Sequence, residues 1–125
     1  MNDQYDWAQH IEHARKLGAN ADDEGLQRLA IHAAYYGAFN LARQYVEVVV
    51  GLKLPSTGDV HQAVWKALDG GNSNEKTAAN RGEALRKLRN AADYDSVFPK
   101  DLLQAVNRAL IDAGDIVKRL PVDEG

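Results

Sequence analysis

The sequence predicts an all-α protein, an up-and-down bundle of four to five helices that forms one domain over residues 1–125. The chain contains 19 alanines and 13 leucines but only 3 prolines, a composition that favours helix. Apolar residues recur at spacings of three and four along most of the chain, and no window alternates as a strand would. A chain of 125 residues can bury a hydrophobic core as one domain, and we expect this core to lie within about residues 3–120.

The first two helices are placed by their apolar spacing and by the residues at their ends. The first is predicted to stop at Gly18, with Asn2 or Asp3 as its N-cap. The second should begin near Ala21 and run to about Val50, because the next nine residues contain two glycines and a proline. The apolar stripe of the first helix consists of Trp7, Ile11, Ala14 and Leu17.

Three further helices complete the predicted bundle. The third is short and ends at the turn formed by residues 69–72, and the fourth covers about Asn74–Tyr94. Pro99 is predicted to occupy the first turn of the fifth helix, where a proline is well tolerated. The residues after Leu120 are predicted to form an irregular tail. The wide apolar face of the fifth helix consists of Leu102, Leu103, Val106, Leu110, Ala113, Val117 and Leu120.

The second helix is apolar on two opposite sides. One stripe consists of Leu26, Leu29, Ala30, Ala33, Gly37, Leu41 and Val48, and the other of Ile31, Tyr35, Ala38, Ala42, Val46 and Val49. One stripe can pack against the core of its own protomer. The other has to be covered either by the short helices around it or by a second copy of the chain. We therefore predict a homodimer through the second helix. A central helix enclosed within a monomer is the alternative.

The composition argues against several classes of function. With no cysteine the chain has no disulfide and no thiolate metal site, and its histidines and carboxylates show no convincing ligand spacing, so we expect neither a metal nor a cofactor. The net charge of −3 argues against a generally basic nucleic-acid coat. No apolar run is long enough to span a membrane, and the N-terminal residues do not resemble a signal peptide. We therefore expect a cytoplasmic protein.

The fourth helix carries a local excess of positive charge. Between Glu75 and Asn90 there are five basic and two acidic residues. Arg86, Arg89 and Asp93 fall on one side of this helix, and a guanidinium at the edge of a core is suited to bidentate contact with phosphate. Two simpler explanations are a solvated helix face and an ion pair between Arg89 and Asp93.

Three parts of the sequence together resemble the HEPN domain family. They are HAAYYGAFNLAR at residues 32–43, His61 at the start of the third helix, and LRKLRNAADYD at residues 85–95. The resemblance covers about residues 27–120 and implies a helical bundle that dimerises side by side, so that the homodimer forms through the second and fourth helices. It also implies metal-independent RNA cleavage in the nuclease members, and a toxin–antitoxin or phage-defence setting with a nucleotidyltransferase-type partner.

The resemblance implies roles for individual residues, with one departure from the family pattern. Arg89 takes the position of the arginine that binds the scissile phosphate, and Asn90 that of the polar residue after it. The family's proton-transferring histidine is replaced by Tyr94. A phenol with an ordinary pKa of about 10 is a poor general base at neutral pH, whereas histidine titrates at about 6.5. His61 is therefore a second candidate for proton transfer.

Two functions follow from these features. The first is interaction with RNA or a nucleotide, extending to metal-independent RNA cleavage, with Arg89, Tyr94 and His61 as catalytic candidates. Arg86, Asn90 and Asp93 are then the candidates for substrate binding. The second is a non-catalytic adaptor that dimerises and engages a partner such as a nucleotidyltransferase. His32 is expected to pack or face solvent, and the tyrosines Tyr35 and Tyr36 are expected to be core or interface aromatics.

Overall fold

A computed structural model describes residues 5–20 and 22–122, and within these ranges the chain forms five α-helices and no strand. The helices are α1 (Trp7–Gly18), α2 (Glu24–Tyr45), α3 (Val60–Asp69), α4 (Ser73–Tyr94) and α5 (Leu102–Arg119). A π-helical turn, Val46–Val50, continues α2. The central helix α2 packs against α1, α4 and α5, and α3 packs mainly against α4. The all-α prediction is confirmed. Among the described helices, none combines the length and the apolar character that crossing a membrane requires.

Acidic and amide side chains cap the helix starts. Asp6 accepts from the backbone N–H groups at the start of α1, and Asp23 does the same for α2. At the start of α4, Asn72 and Glu75 form a reciprocal capping box. The predicted cap residues Asn2 and Asp3, like Ala21 at the predicted start of the second helix, lie outside the described residues. The described chain enters α1 at Asp6.

The predicted start of the last helix is wrong. Pro99 lies in the turn before α5, which begins at Leu102. The cap explains the difference, because the carboxylate of Asp101 accepts from the backbone N–H of Gln104 at 3.1 Å. Leu103, a member of the predicted apolar face, is exposed because it lies about 120° around the helix from the buried residues of α5.

The second apolar side of α2 is covered by the same chain. Of its predicted members only Val49 is exposed, because α3 and α4 lie over the others. Gly82 of α4 packs directly against the ring of Trp65, so α3 and α4 lie close together on this side of the bundle. The physical argument for a dimer, that one protomer cannot cover this side, is therefore wrong. The buried members are Ile31, Tyr35, Ala38, Ala42 and Val46, whereas Leu29 and Val48 of the first stripe are exposed.

Polar contacts at both ends align α2 and α4 antiparallel. Near the end of α2, Tyr45 donates a hydrogen bond of 2.6 Å to Glu75 in the first turn of α4. Near the start of α2, Arg28 donates from Nη1 to the carbonyl oxygens of Ala92 and Asp95, at 3.0 and 2.7 Å. These contacts hold the C-terminal half of α4, where the arginines lie, against the N-terminal half of α2.

Candidate functional site

Aromatic and cationic side chains from three helices converge beside the C-terminal half of α4. We call this group the aromatic–arginine cluster. Its members are Tyr35, Tyr36 and Phe39 of α2, His61 of α3, and Arg86 and Arg89 of α4. Tyr36, His61 and Arg86 are half-buried, so the cluster reaches the surface.

His61 lies within this cluster in one defined orientation. Its ring stacks on that of Phe39, with centroids 4.0 Å apart. Its Nδ1 lies 2.7 Å from the hydroxyl of Tyr35, which accepts a hydrogen bond from Nε1 of Trp65 at 3.2 Å. Because an indole N–H can only donate, the Tyr35 proton is free to be donated to Nδ1. This arrangement leaves the ring proton of a neutral His61 on Nε2.

The surroundings keep both groups of this hydrogen bond uncharged. Burial lowers the pKa of His61, and the nearby positive charges of Arg86, Arg89 and Arg43 lower it further. Burial raises the pKa of Tyr35 to about 12. At neutral pH the pair is therefore a neutral imidazole and a phenol, and His61 presents Nε2–H as a hydrogen-bond donor.

Arg89 is a nearly buried cation with incomplete hydrogen bonding. The residue is only 8% exposed, and its guanidinium lies 5.4 and 5.2 Å from the ring centroids of Tyr35 and Tyr36. Nη1 lies 3.5 Å from a carboxylate oxygen of Asp93, so the ion pair considered from sequence is present but long. Among the described residues the buried Nε atoms of Arg86 and Arg89 have no hydrogen-bond partner. Asp93 pairs with Arg89 only, and within the described ranges Arg86 forms no ion pair, although Asp69 and Glu83 line the groove next to it.

Asp93 also binds a histidine that the sequence analysis assigned to packing or solvent. Nδ1 of His32 lies 2.9 and 3.1 Å from the two carboxylate oxygens of Asp93. The His32 ring also packs on Tyr36, with centroids 4.7 Å apart. Since Arg89 packs on the same Tyr36 and pairs with the same carboxylate, His32 and Arg89 lie side by side. The sequence signal for the contact with Tyr36 is the spacing of His32 and Tyr36, which lie one helical turn apart on α2. The sequences of α2 and α4, taken separately, do not reveal that His32 binds Asp93.

The structure separates the predicted site residues into two groups. Arg89 and Asp93 contact residues of α2, whereas Arg86 lies beside α3, where its charge acts on His61. Asn90 and Tyr94 line a different groove, of about 950 Å³. Tyr94 is 76% exposed there. Within one protomer Tyr94 thus lies in a different groove from Arg89. To take part in cleavage, Tyr94 would have to reach a phosphate bound by Arg89.

The groove that contains Tyr94 has mixed charge. Lys87 and Lys100 line it together with Glu83 and Asp95, so its wall carries charges of both signs. The aromatic–arginine cluster, which contains two arginines, is better suited to an anionic ligand than this groove is. In the described ranges of the chain, no three histidines or carboxylates converge in a way that would hold a metal ion.

Comparisons of the chain with protein-family models, with curated proteins and with solved structures gave no significant match.

Proposed function

We propose that the protein is HEPN-like and binds RNA or a nucleotide through the aromatic–arginine cluster. The observation that carries the proposal is the pair of arginines, Arg86 and Arg89, whose charge is not fully compensated and whose Nε atoms lack partners. A buried cation with incomplete hydrogen bonding favours an anionic ligand, and phosphate suits the fork of a guanidinium. The Nε2–H of His61 adds a neutral donor to the same surface.

The geometry supports binding more directly than cleavage by the residues named from sequence. Tyr94 lies in the other groove, and the inferred tautomer of His61 has no free lone pair on Nε2 with which to accept a proton. The proposal retains the features that the resemblance implies. These are a homodimer through α2 and α4, a toxin–antitoxin or phage-defence setting, and a nucleotidyltransferase-type partner. The proposal also keeps the cytoplasmic location expected from the sequence.

Binding can be tested by fluorescence anisotropy with labelled single-stranded RNA and by calorimetry with AMP and ATP. Arg86→Gln and Arg89→Gln should each weaken binding about tenfold or more, because each removes a charge-assisted hydrogen bond. Lys76→Gln is the matched control, since it removes one positive charge from an exposed position of the same helix and should bind within about twofold of wild type.

Circular dichroism should confirm that the variants remain helical, and Arg86, which is only half-buried, keeps the test informative if Arg89→Gln unfolds. The proposal fails if no RNA or nucleotide binds. It also fails if both arginine variants bind as tightly as the Lys76→Gln control.

One observation favours the adaptor as a second candidate. The π-helical turn and the residue after Gly51 present a run of exposed apolar side chains, Val48, Val49, Val50 and Leu52. Contiguous exposed apolar surface is typical of a protein contact. Sedimentation of wild type and Val49→Asp tests whether two copies meet there. A dimer that the substitution dissociates supports this candidate, and a wild-type monomer at high micromolar concentration contradicts a contact between copies.

A further inference from the structure

We infer that the aromatic–arginine cluster binds its anionic ligand together with a proton, and that the neighbouring His32 is the group that accepts this proton. The pH dependence that follows rests on the proposed binding of an anion at the cluster and adds a regulation to it. The anion should bind more tightly at acidic pH. No covalent step is involved.

One carboxylate is shared by two nitrogen groups beside Tyr36. Nδ1 of His32 lies 2.9 Å from Oδ2 of Asp93, and Nη1 of Arg89 lies 3.5 Å from the same oxygen. The imidazole and the guanidinium also pack on the same ring, that of Tyr36. The protonation of His32 therefore decides whether Asp93 faces one positive charge or two.

The net charge of these three side chains changes when His32 takes up a proton. With a neutral His32, the positive charge of Arg89 and the negative charge of Asp93 cancel. With a protonated His32, two cations face one carboxylate, and one positive charge remains uncompensated. Attraction between opposite charges at short range strengthens the binding of a phosphate or sulfate group. Protonation therefore favours binding of the anion, and binding of the anion favours protonation to the same extent.

The hydrogen bond to Asp93 determines which atom of His32 accepts the proton. A carboxylate can only accept, so Nδ1 of a neutral His32 carries the hydrogen that it donates. The lone pair is then on Nε2, where the proton adds. The side chain of His32 is 43% exposed and that of Asp93 only 21%. The ring is thus the member of the pair nearer to solvent, from which the proton comes.

The charged and titratable groups around His32 come from four helices. They are His10 of α1, Arg28 and Tyr36 of α2, His61 of α3, and Arg89 and Asp93 of α4. Burial lowers the pKa of both His10 and His61, so these two rings stay neutral further into the acidic range than an ordinary histidine. The carboxylate of Asp93 is the group in this set that stabilises a positive charge on His32.

The test is the affinity for a labelled oligouridylate RNA, a probe whose own charge is constant across the range used. Fluorescence anisotropy at constant ionic strength should show about tenfold tighter binding to wild type at about pH 5.5 than at about pH 7.5. His32→Gln should lose most of this difference, because its amide can still donate to Asp93 but does not take up a proton. His13→Gln, which removes an exposed histidine of α1, is the matched control and should keep the difference.

Asp93→Asn separates the effect of charge from damage to the site. Without the carboxylate, Arg89 contributes an uncompensated positive charge even when His32 is neutral. At about pH 7.5 this variant should therefore bind the probe about as tightly as wild type does at about pH 5.5. A substitution that only disturbed the packing would weaken binding at both pH values. Circular dichroism checks that the variant remains helical.

The same coupling should be visible from the histidine. Addition of sulfate should move the titration of the His32 ring, followed by NMR, to higher pH, because the bound anion favours the protonated form. The titration of the exposed His13 ring should not move. Sulfate is a suitable probe because its charge is constant over the range in which histidines titrate.

Four results would overturn the inference. If wild type binds the probe equally well at both pH values, or if His32→Gln keeps the full difference, the coupling fails while the proposed binding stands. If the difference is lost in His61→Asn and kept in His32→Gln, His61 is the group that accepts the proton. If Asp93→Asn binds more weakly than wild type at about pH 7.5, the carboxylate does not oppose the anion. If neither RNA nor sulfate binds at either pH, both proposals fail together.

Discussion

At the scale of single residues, the hydrogen bond at Nδ1 decides what each histidine can do. His61 accepts there from a phenol and His32 donates there to a carboxylate. A neutral ring consequently presents an N–H at Nε2 in His61 and a lone pair at Nε2 in His32, although both rings lie close to Tyr36. Histidine identity alone therefore does not assign function in this molecule. The partner of Nδ1 has to be known.

We predict that His61 makes the stability of the fold depend on pH between about 7 and 5. Its pKa in the folded state lies below the ordinary 6.5, so the unfolded chain binds the proton more readily. The stabilisation is present above the unfolded value and is lost as the pH falls through the folded pKa. Urea unfolding at about pH 7.5 and about pH 5 should show a smaller loss of stability for His61→Asn than for wild type.

Other histidines define the background of that measurement. Burial also lowers the pKa of His10, which supplies part of the same pH dependence and is retained in the variant. The exposed His13 is the control, and His13→Asn should keep most of the wild-type dependence. Equal losses of stability in wild type and His61→Asn would show that burial of this ring is not coupled to folding.

The residues of the candidate site were predictable only in part. Helical rotation places Arg86, Arg89 and Asp93 on one side of α4, and the same rotation sets Tyr94 about 140° away from Arg89, so their separation follows from the sequence. The contact between His32 and Asp93 does not. It joins residues 61 positions apart on two helices, and the crossing of those helices decides it.

At the scale of elements, the glycines of α4 and α5 have different roles. A Cβ added to Gly82 would overlap the six-membered ring of Trp65, whereas one added to Gly114 would meet nothing within 4 Å. Gly82 therefore sets the distance between α3 and α4. Gly114 only lowers the helix propensity of α5.

We predict opposite effects for the two alanine substitutions. Gly82→Ala should destabilise the protein by about 1–3 kcal/mol, since Trp65 is buried and has no room to move. Gly114→Ala should stabilise it by about 0.5–1 kcal/mol through lower backbone entropy of the unfolded chain. Chemical denaturation of both variants measures these changes. A neutral Gly82→Ala would mean that α3 can shift without cost.

The end of the central helix shows how far an element can be predicted. The extent to about Val50 agrees with the structure, and Gly51 stops the helix with the positive φ of 82° that glycine adopts easily. The π-helical turn was not predicted. There the carbonyl of Val46 accepts from the N–H groups of both Gly51 and Leu52. A glycine at this position ends an α-helix and a π-helical turn equally well, so the sequence does not distinguish them.

At the scale of the whole molecule, the all-α class followed from composition and spacing, but the covering of α2 did not. Whether one protomer can enclose a two-sided apolar helix depends on how closely its neighbours approach. Here α4 packs against α2, and Gly82 lets α3 pack closely against α4, so the two helices together cover this side. The apolar pattern of α2 shows only that the helix is buried.

An enclosed central helix makes folding independent of association. We predict that the midpoint of thermal or urea unfolding stays constant between about 0.5 and about 50 µM protein, because an obligate dimer would gain stability with concentration. Sedimentation at the same concentrations gives the oligomeric state separately. A midpoint that rises with protein concentration would show that the fold requires a second copy.

The contacts of Arg28 with the last carbonyls of α4 have a consequence for any ligand at the cluster. They fix the stretch of backbone that carries Asp93 before a ligand arrives, so the recognition surface is already preorganised in the free protein. Binding of a ligand therefore costs little free energy for ordering this part of the protein. Recognition at this surface is consequently closer to rigid docking than to folding coupled to binding.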